Sequence, residues 1–482
     1  MAGWPWFDGR MMARKACVAV LLTTLVLALN AGSAQATPGI PDVGPPGTSL
    51  IHGDLASTDT TPHPGPGVGG RVVASSLPGG ACAATFIGSD GMPVALCTGY
   101  VGVDPPGVAV PTVQLFDPVT AQPIASIQLT KGGLLGGVYG YLDSRDRVVM
   151  ADGSGSVLKV AHRKTAAGQW NLYVAERIDV SAHIPAGDAI TGLAPDYQQR
   201  IWFATTGGVV GTISADGHIA SMHLPPGERL TNGLSVRREG ASVLTDRALY
   251  EMHADDTGTP TTVWRQTYTA GSVRKPGQLA PGSGTTPTYF GVDDEFVAIV
   301  DDAERPNLIV HRSDNGSVVC ATPAFGTSGQ GTENSPMAWG NSLVIPSTYG
   351  FGYPPFATSG PSDPPAATFA GGMTRIDVTD TGCHRVWETH DRMATLPKLS
   401  RSDGLIYALA YAPSTEALAG NGIQQIGPVY FAAVDFATGT RRAFTEVGAA
   451  PVDEPLQLTG TIGADGSMWQ ATVGRMLKKI SS

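Results

Sequence analysis

Short apolar stretches alternate with tight polar turns along most of the chain. An apolar stretch, a turn and a second apolar stretch recur eight times, with turns about 42 to 63 residues apart. Asp-Gly and Glu-Gly at these turns supply the positive φ angles of tight hairpins, while the flanks are rich in Val, Ile, Tyr and Phe. Each unit is therefore predicted to be a β-hairpin, with strands A and B. The turns are centred on Asp90, Asp143, Asp196, Glu239, Asp293, Asn341, Asp403 and Asp465.

A second strand, turn and strand pattern follows these hairpins and supplies strands C and D. The segments QLFDPVTAQPIASI, RIDVTDTGCHRVW and AVDFATGTRRAFTEV are examples. Four strands at this spacing are typical of one propeller blade. We therefore predict an all-β protein with a single β-propeller of four-stranded blades. The repeat count favours eight blades, with seven as the alternative because the fourth repeat is short.

The two ends of the repeat region complement each other. The last repeat ends with RMLKKI as its strand C, which leaves that blade one strand short. The segment Val72 to Ser76 lies just ahead of the first strand A and could supply the missing strand. Closing the ring in this way removes an exposed sheet edge. We expect the propeller domain to cover residues 71–482.

The N-terminus has the pattern of a secretory signal peptide. A basic stretch with Arg14 and Lys15 precedes an apolar run from Ala16 to Leu29, and small residues then end at Ala36. The run of about 14 residues is too short to span a bilayer. We expect a signal peptide over residues 1–36 and a secreted or cell-envelope-associated mature chain without a membrane span.

Two further expectations concern the region around this signal. Met11 and Met12 lie directly before the basic stretch, so either could be the true start. Residues 37–70 are rich in Pro and Gly, and we expect them to form a poorly ordered leader.

Composition narrows the classes of partner. The net charge of −10 becomes about −12 once residues 1–36 are removed, and only 15% of residues are charged. An acidic, charge-poor surface argues against nucleic acid as a partner. The hydrophobic fraction of 42% is too high for a disordered chain. We expect a monomer with an unknown ligand or extracellular partner.

The cysteines indicate disulfides. Cys17 lies in the signal, which leaves Cys82, Cys97, Cys320 and Cys383, and no C-x-x-C pair or zinc-type cluster is present. Cys82 and Cys97 are symmetric about their hairpin turn and are expected to form a cross-strand bridge. Cys320 and Cys383 fall in the D strands of neighbouring blades, which diverge, so their connectivity stays open.

The C-to-D turns FDPVTAQPIA, IDVTDTGCHRVW and VDFATGTRRAF are similar to a known motif, the aliphatic-Asp-x-x-Thr-Gly-x-x-x-aromatic turn. In this respect the chain resembles the quinoprotein-dehydrogenase-like superfamily, also called PQQ-like repeat propellers, over about Val72 to Ser482. The larger members have eight blades. Their quinone-dependent enzymes have a regular tryptophan after this motif and a pair of adjacent cysteines. Here only Trp387 occupies that position and no Cys-Cys pair exists, so the resemblance implies the fold without the activity.

Ligand sites of propellers usually lie where the A strands begin, on the face that carries the B-to-C loops. Long B-to-C loops in blades one, six and seven are predicted to form a crescent at the mouth of the central channel, as binding loops or as neutral surface insertions. The A-to-B turns lie on the opposite face and are expected to be structural. The candidate ligand-binding residues are Asp188, Thr191, Asn232, Glu333, Asn334, Lys398, Gln457, Tyr349, Phe351 and Tyr353.

These residues leave several functions open. Asp188, Asn232, Glu333 and Asn334 resemble the oxygen ligands with which calcium-dependent lactonases and quinoproteins hold a cation, so Ca²⁺ is a possible cofactor. The alternative is that they bind water and one another. No catalytic set can be assembled from the sequence. The leading hypothesis is a secreted propeller that binds a ligand or partner through its loop-rich face. The alternatives are a calcium-dependent lactonase or hydrolase, a quinone-dependent dehydrogenase, and a structural envelope protein.

Overall fold

The computed structural model describes most of the chain from residue 39 onward. The described residues are 39–77, 80–98, 110–131, 139–326, 331–412 and 427–481, with the backbone alone of 100–101, 107–108 and 417–419. The predicted signal peptide and both candidate start residues lie outside this range.

Eight blades, each of four antiparallel strands, form a propeller, as predicted, and in blade 7 two further short strands join the same sheet. Within each blade, strands A to D run from the inner strand to the outer one. In blade 1 the strands are Cys82–Ile87, Pro93–Cys97, Thr112–Phe116 and Pro123–Gln128, and in blade 2 they are Tyr141–Leu142, Val148–Ala151, Ser156–Lys164 and Trp170–Asp179. In blade 3 they are Ile190–Pro195, Ile201–Thr205, Val209–Ile213 and Ile219–His223, and in blade 4 they are Leu234–Arg237, Gly240–Leu244, Ala248–Ala254 and Pro260–Thr267. In blade 5 the strands are Thr288–Phe290, Phe296–Val300, Asn307–Arg312 and Val318–Pro323, and in blade 6 they are Met337–Trp339, Ser342–Pro346, Met373–Thr379 and Gly382–Glu388. In blade 7 they are Lys398–Ser400, Leu405–Tyr411, Gly427–Asp435 and Arg441–Ala450, and in blade 8 they are Thr461–Ile462, Met468–Ala471, Arg475–Ile480 and Arg71–Ser76.

Several short strands and 3₁₀ turns occur in addition to the four strands of each blade. Ala366–Thr368 in the B-to-C loop of blade 6 pairs with Ala417–Ala419 in that of blade 7, so these two loops are joined. The remaining short strands are Thr60–Thr61, Tyr100–Val101, Gly107–Val108 and Arg392–Met393, and the 3₁₀ turns are Ser181–His183, Val292–Asp294 and Pro355–Ala357.

The ring closes through its N-terminal strand. Arg71–Ser76 runs antiparallel to Arg475–Ile480 and pairs with it along its whole length. The buried Ser75 hydroxyl also donates a hydrogen bond to the carbonyl of Ala121 in blade 1. The predicted closure and the count of eight blades are thus confirmed, and the alternative of seven blades is wrong.

Apolar side chains of neighbouring blades pack against one another. Between blades 1 and 2, for example, Val94 and Leu115 share one buried cluster with Val148 and Leu158. Fully burying such a side chain stabilises the fold by about 1.5–3 kcal/mol. Each blade therefore depends on both neighbours, which makes the ring a single cooperative unit.

The leader departs from expectation, because residues 39–70 pack into the fold. Main-chain N–H groups of six inner strands or their ends donate to leader carbonyls. The pairs are Ile87 to Thr48, Leu142 to Ser49, Val236 to Leu55, Tyr289 to Ala56, Ala338 to Thr58 and Leu399 to Asp59. Thr60–Thr61 continues as a parallel strand beside Lys398–Ser400 of blade 7. The leader therefore lines the channel, where it satisfies the inner edges of the blades.

A Gly-rich composition suggested disorder here because glycine is common in flexible linkers. In the structure, glycine instead allows close approach of the backbone. Gly53 has φ +86°, and a Cβ at this position would lie 2.2 Å from the carbonyl oxygen of Thr60. The leader can fold back on itself at Gly53 only without a side chain there.

The acidic A-to-B turns are structural, as their position predicted. Oδ1 of Asp196 accepts hydrogen bonds from the N–H groups of Gln198 and Arg200, at 2.8 Å each. Its Oδ2 accepts from Arg200 Nε at 2.7 Å and from Trp202 Nε1 at 2.9 Å. One buried carboxylate thus holds the turn, its flanking arginine and a core tryptophan.

Two disulfides are present, and one of them is the expected cross-strand bridge. Cys82 and Cys97 face each other across strands A and B of blade 1, with Cα atoms 3.8 Å apart. Cys320 and Cys383 join the D strands of blades 5 and 6, with Cα atoms 5.8 Å apart. The pairing that sequence left open is therefore a tie between two neighbouring blades.

We predict that Asp196→Ala lowers the free energy of unfolding by about 3 kcal/mol, because it leaves buried donors without an acceptor. Chemical denaturation followed by tryptophan fluorescence measures this loss. The matched control is Asp255→Ala in an exposed turn of blade 4, where the carboxylate accepts from the neighbouring Thr257 and Thr259. A loss as large in the control as in Asp196→Ala would contradict the structural role.

Candidate functional site

A cavity of about 190 Å³ opens at the mouth of the channel, where the A strands begin. Its walls come from residues just before or at the start of these strands, such as Ala83, Thr231 and Thr459. The B-to-C loop of blade 6 adds Tyr353, Pro354, Phe356 and Ala357. Ile51 and His52 of the leader also line the cavity. The leader thus contributes a polar side chain, the imidazole of His52, that the repeats do not supply.

Five of the ten candidate ligand-binding residues line this cavity. They are Asn232, Glu333, Asn334, Gln457 and Tyr353. They come from blades 4, 6 and 8 and from one long loop, so the closed ring brings together positions that are far apart in sequence.

The other five candidates lie elsewhere. Asp188 borders a separate cleft beside blade 3, where its Oδ1 accepts from Gly207 N at 2.7 Å. Thr191 is buried and donates to the Ala204 carbonyl at 3.4 Å. Phe351 is a core residue whose ring meets that of Tyr353 edge-on at 4.9 Å. Tyr349 is half-buried, and burial raises its pKa. Neither Tyr349 nor Phe351 is therefore among the residues that line the cavity.

Lys398, the fifth of these, belongs to a buried cluster beneath the cavity. Its Nζ donates to Asp59 Oδ1 at 2.9 Å and to the Ile51 carbonyl at 3.0 Å. Asp59 also lies 3.0 Å from Nδ1 of His52. The three side chains are buried, with relative exposures of 2%, 0% and 6% for Lys398, Asp59 and His52. Burial alone would raise the pKa of Asp59, but His52 and Lys398 together hold it below its ordinary value.

His52 has a fixed orientation in this cluster. The Asp59 carboxylate engages Nδ1, and the Tyr139 ring stacks on the imidazole with ring centroids 6.0 Å apart. Among the described residues, the buried Nε2 atom has no hydrogen-bond partner. A histidine oriented by a carboxylate presents a defined nitrogen to its surroundings.

Glu333 is the carboxyl group of the cavity. Its Oε2 accepts from Leu279 N at 3.0 Å, whereas the buried Oε1 has no partner among the described residues. Burial, reinforced by the nearby Asp302 carboxylate, raises the pKa of Glu333 to about 8, against the opposing effects of the Leu279 hydrogen bond and Arg274. The side chain is therefore protonated at neutral pH.

Two side-chain amides in the cavity wall, those of Asn334 and Gln457, are held in place by hydrogen bonds. Asn334 Nδ2 donates to Gln457 Oε1 at 3.0 Å, and Gln457 Nε2 donates to the Met393 carbonyl at 2.8 Å. Leu456 and Gln457 both have positive φ, at 55° and 59°, a costly conformation for residues other than glycine. The Glu454 carboxylate accepts from Leu456 N at 3.0 Å and supports this backbone. Strain of this kind, held in place by a buried carboxylate, is common at binding sites.

The four residues of the calcium-like set do not come together. Asp188, one of its two acidic members, lies at the separate cleft, while Asn232, Glu333 and Asn334 line the cavity. In the described part of the chain, no group of three or more His, Cys, Asp or Glu side chains is placed to hold a metal ion.

Sequence reasoning missed His52 and Tyr139. His52 lies in the segment interpreted as a leader, and Tyr139 precedes a very short strand A. The spacing of GVYGYLDSRD before its turn could have placed Tyr139 at the channel mouth. No local pattern could have placed His52, because its position depends on the leader entering the ring.

Comparisons with known proteins leave the family open. No family model matches the sequence. A curated uncharacterized protein of Archaeoglobus fulgidus is 30% identical over 132 residues, and this match spans only 26% of each chain. The similarity therefore covers about a quarter of that relative's length.

Several solved structures are similar in fold. The computationally designed protein Ika8 is 12% identical with a TM-score of 0.49, and the match covers 86% of this chain and 100% of Ika8. Sqt1 of Chaetomium thermophilum, bound to the N-terminus of ribosomal protein L10, is 11% identical with a TM-score of 0.47 and coverage of 83% and 100%. BamB of Moraxella catarrhalis is 14% identical with a TM-score of 0.37 and coverage of 72% and 95%. Identities this low carry no information about activity. The eight-bladed ring itself is compatible, at the level of the fold, with the predicted resemblance to quinoprotein-like propellers.

The raised pKa of Glu333 predicts a pH dependence of stability. Below its ordinary pKa of 4.5, the carboxyl is protonated in both the folded and unfolded states, and its contribution is fully present. Between about 4.5 and about 8 the unfolded state has released this proton while the folded state keeps it, so stability falls across this window and levels off once the folded state also ionises. Glu333→Gln should remove this loss.

Urea denaturation of both proteins between pH 4 and pH 9 measures the effect. Glu251 and Glu454, each with a pKa raised by burial to about 7, titrate in the same window in both proteins, so the difference between them reports Glu333 alone. Parallel stability curves for the two proteins would contradict the prediction.

Proposed function

We propose that this protein binds a small, uncharged organic ligand in the cavity at the channel mouth. The observation that carries the proposal is the composition of the lining. Side-chain amides and hydroxyls of Asn232, Asn334 and Thr231 share it with apolar groups such as Leu396 and Phe356. Concave sites of this kind combine apolar contact area with a few polar groups that fix the orientation of the ligand.

Electrostatics favour an uncharged ligand. None of the described lining residues is lysine or arginine. Lys398, a buried cation close to His52 of the lining, is engaged by Asp59 and a main-chain carbonyl. An anionic ligand would lose its hydration without gaining a counter-charge, which is costly in a buried site. Glu333 is protonated near neutral pH and can donate a hydrogen bond to such a ligand.

We further propose that the protein acts outside the cell. Two disulfides are typical of an oxidising compartment. Among the residues described, no helix is long and apolar enough to cross a membrane. Export through residues 1–36 and monomeric behaviour remain part of this proposal. The lactonase, quinone-dependent and structural alternatives have no specific observation in their favour.

Filling the cavity tests the proposal directly. Ala83 is half-buried in the cavity wall, so Ala83→Phe should occupy the space without removing a hydrogen bond. Ligand-observed NMR with a panel of uncharged phenols, lactones and aryl amides should detect binders to the unmodified protein. We expect the variant to lose about tenfold or more in affinity for each binder, equivalent to about 1.4 kcal/mol.

Ala167→Phe, in an exposed turn of blade 2, is the matched control and should keep full affinity. Benzoate and phenyl phosphate provide the anionic comparison and should bind more weakly than the uncharged molecules. Binding that survives Ala83→Phe, or a panel dominated by anions, would contradict the proposal.

A further inference from the structure

Two buried titratable side chains in the cavity each keep one polar atom without a hydrogen-bond partner among the described residues. These atoms are Nε2 of His52 and Oε1 of Glu333. His52 comes from the leader and Glu333 from the start of blade 6, and both line the same cavity. Buried polar atoms are almost always satisfied in folded proteins, so two such atoms in one cavity suggest a shared role toward a bound molecule.

The cluster around His52 fixes which ring nitrogen can act. The Asp59 carboxylate is balanced by the Lys398 ammonium, at 2.9 Å, and it lies 3.0 Å from Nδ1 of His52, which places the hydrogen of a neutral ring on Nδ1. In this tautomer Nε2 carries the lone pair. A carboxylate that orients an imidazole in this way also stabilises the imidazolium that forms when the ring takes up a proton. Asp59 is therefore a positioning residue, acting through His52.

Glu333 offers the complementary group. Its Oε2 is occupied by Leu279 N–H at 3.0 Å, so the proton of the neutral acid can reside on Oε1. The carboxyl is surrounded by Asp302, Arg274, Tyr139 and Tyr353, and burial is the main reason that it keeps its proton. A base and an acid in different protonation states within one cavity are the usual arrangement for proton transfer at neutral pH.

We propose that the cavity is an acid–base catalytic site for uncharged substrates, with His52 as the base and Glu333 as the acid of an elimination reaction. The inference rests on the proposed function, because it requires a ligand in the cavity. His52 Nε2 removes a proton from an activated carbon of the substrate. The C–H electron pair becomes the new π bond, and the bond to the leaving oxygen or nitrogen breaks with its electron pair. Glu333 Oε1 gives its proton to that leaving atom, and the imidazolium proton returns to the Glu333 carboxylate through solvent after product release.

A reactive probe can test this without knowledge of the natural substrate. In 5-nitrobenzisoxazole, removal of the C3 proton by a base breaks the N–O bond and forms a nitrile and a phenol, whose phenolate absorbs visible light. The probe is small and uncharged, as the cavity requires. We expect the full-length protein to accelerate its elimination above the rate in buffer, and His52→Gln to reduce kcat/KM about 100-fold.

The pH profile and two variants test these roles. Activity should fall near pH 8, where Glu333 ionises. Glu333→Gln should lower kcat about tenfold and remove the falling limb. Asp59→Asn should lower kcat while KM is unchanged, with kcat expressed per mole of folded protein, because partial unfolding alone would also lower the apparent kcat at constant KM.

Two further measurements guard against a trivial loss of folding. Ala83→Phe leaves the contacts of His52 and Asp59 in place but should abolish the elimination, while Ala167→Phe should retain it. Thermal melting of every variant shows whether the ring is intact. Calorimetry with 5-nitrobenzofuran, an uncharged analogue of the probe that has no N–O bond to break, reports binding independently of the reaction.

The outcomes are distinguishable. Binding of the analogue that Ala83→Phe abolishes, combined with elimination no faster than in buffer, would overturn the catalytic inference and leave the proposed function standing. An elimination rate unaffected by His52→Gln would also overturn it. Failure of both the analogue and the uncharged panel to bind would refute the inference together with the proposed function.

Discussion

The inner edges of the blades set the constraint on which this structure depends. Strand A of each blade has a neighbour on one side only, so its other edge presents main-chain N–H and C=O groups to the channel. The leader meets this requirement over much of the ring, because its carbonyls between Thr48 and Asp59 accept hydrogen bonds from six blades. A segment that looks like a linker in the sequence therefore supports the centre of the propeller.

The same N-terminal region completes the ring and the candidate site. Its later part, Arg71–Ser76, is the outer strand of blade 8, while its earlier part brings Ile51 and His52 to the cavity. The buried ion pair between Asp59 and Lys398 joins the leader to the inner strand of blade 7. Cavity and ring closure are consequently formed by one continuous segment, and the cavity can take its shape only when the ring is closed.

The sequence predicted the repeating part of the molecule well. Recurring apolar stretches around Gly-containing turns indicate local hairpins, so the blades, the ring closure and the cross-strand pair of Cys82 and Cys97 could be inferred from local patterns. The same register placed Asn232, Glu333, Asn334 and Gln457 near the channel mouth, where they line the cavity.

What escaped prediction depends on long-range packing. The position of a residue along the chain does not show how deeply its side chain is buried. The buried Phe351 and the ion-paired Lys398 could therefore not be distinguished from residues that line the cavity. Asp188 lies just before strand A of blade 3 but borders a separate cleft beside that blade. His52 has no periodic neighbours at all, because its place is set by main-chain hydrogen bonds to strands far away in the sequence.

Native-state hydrogen exchange at residue resolution tests the central claim most directly. The main-chain amides of Val236, Tyr289, Ala338 and Leu399 donate hydrogen bonds to carbonyl oxygens of the leader. If the leader holds the inner strands, these four amides should exchange only through global unfolding, at rates that match those of the blade cores. Exchange as fast as in the exposed turn at residues 165–168 would show that the leader does not occupy the channel and would contradict this account.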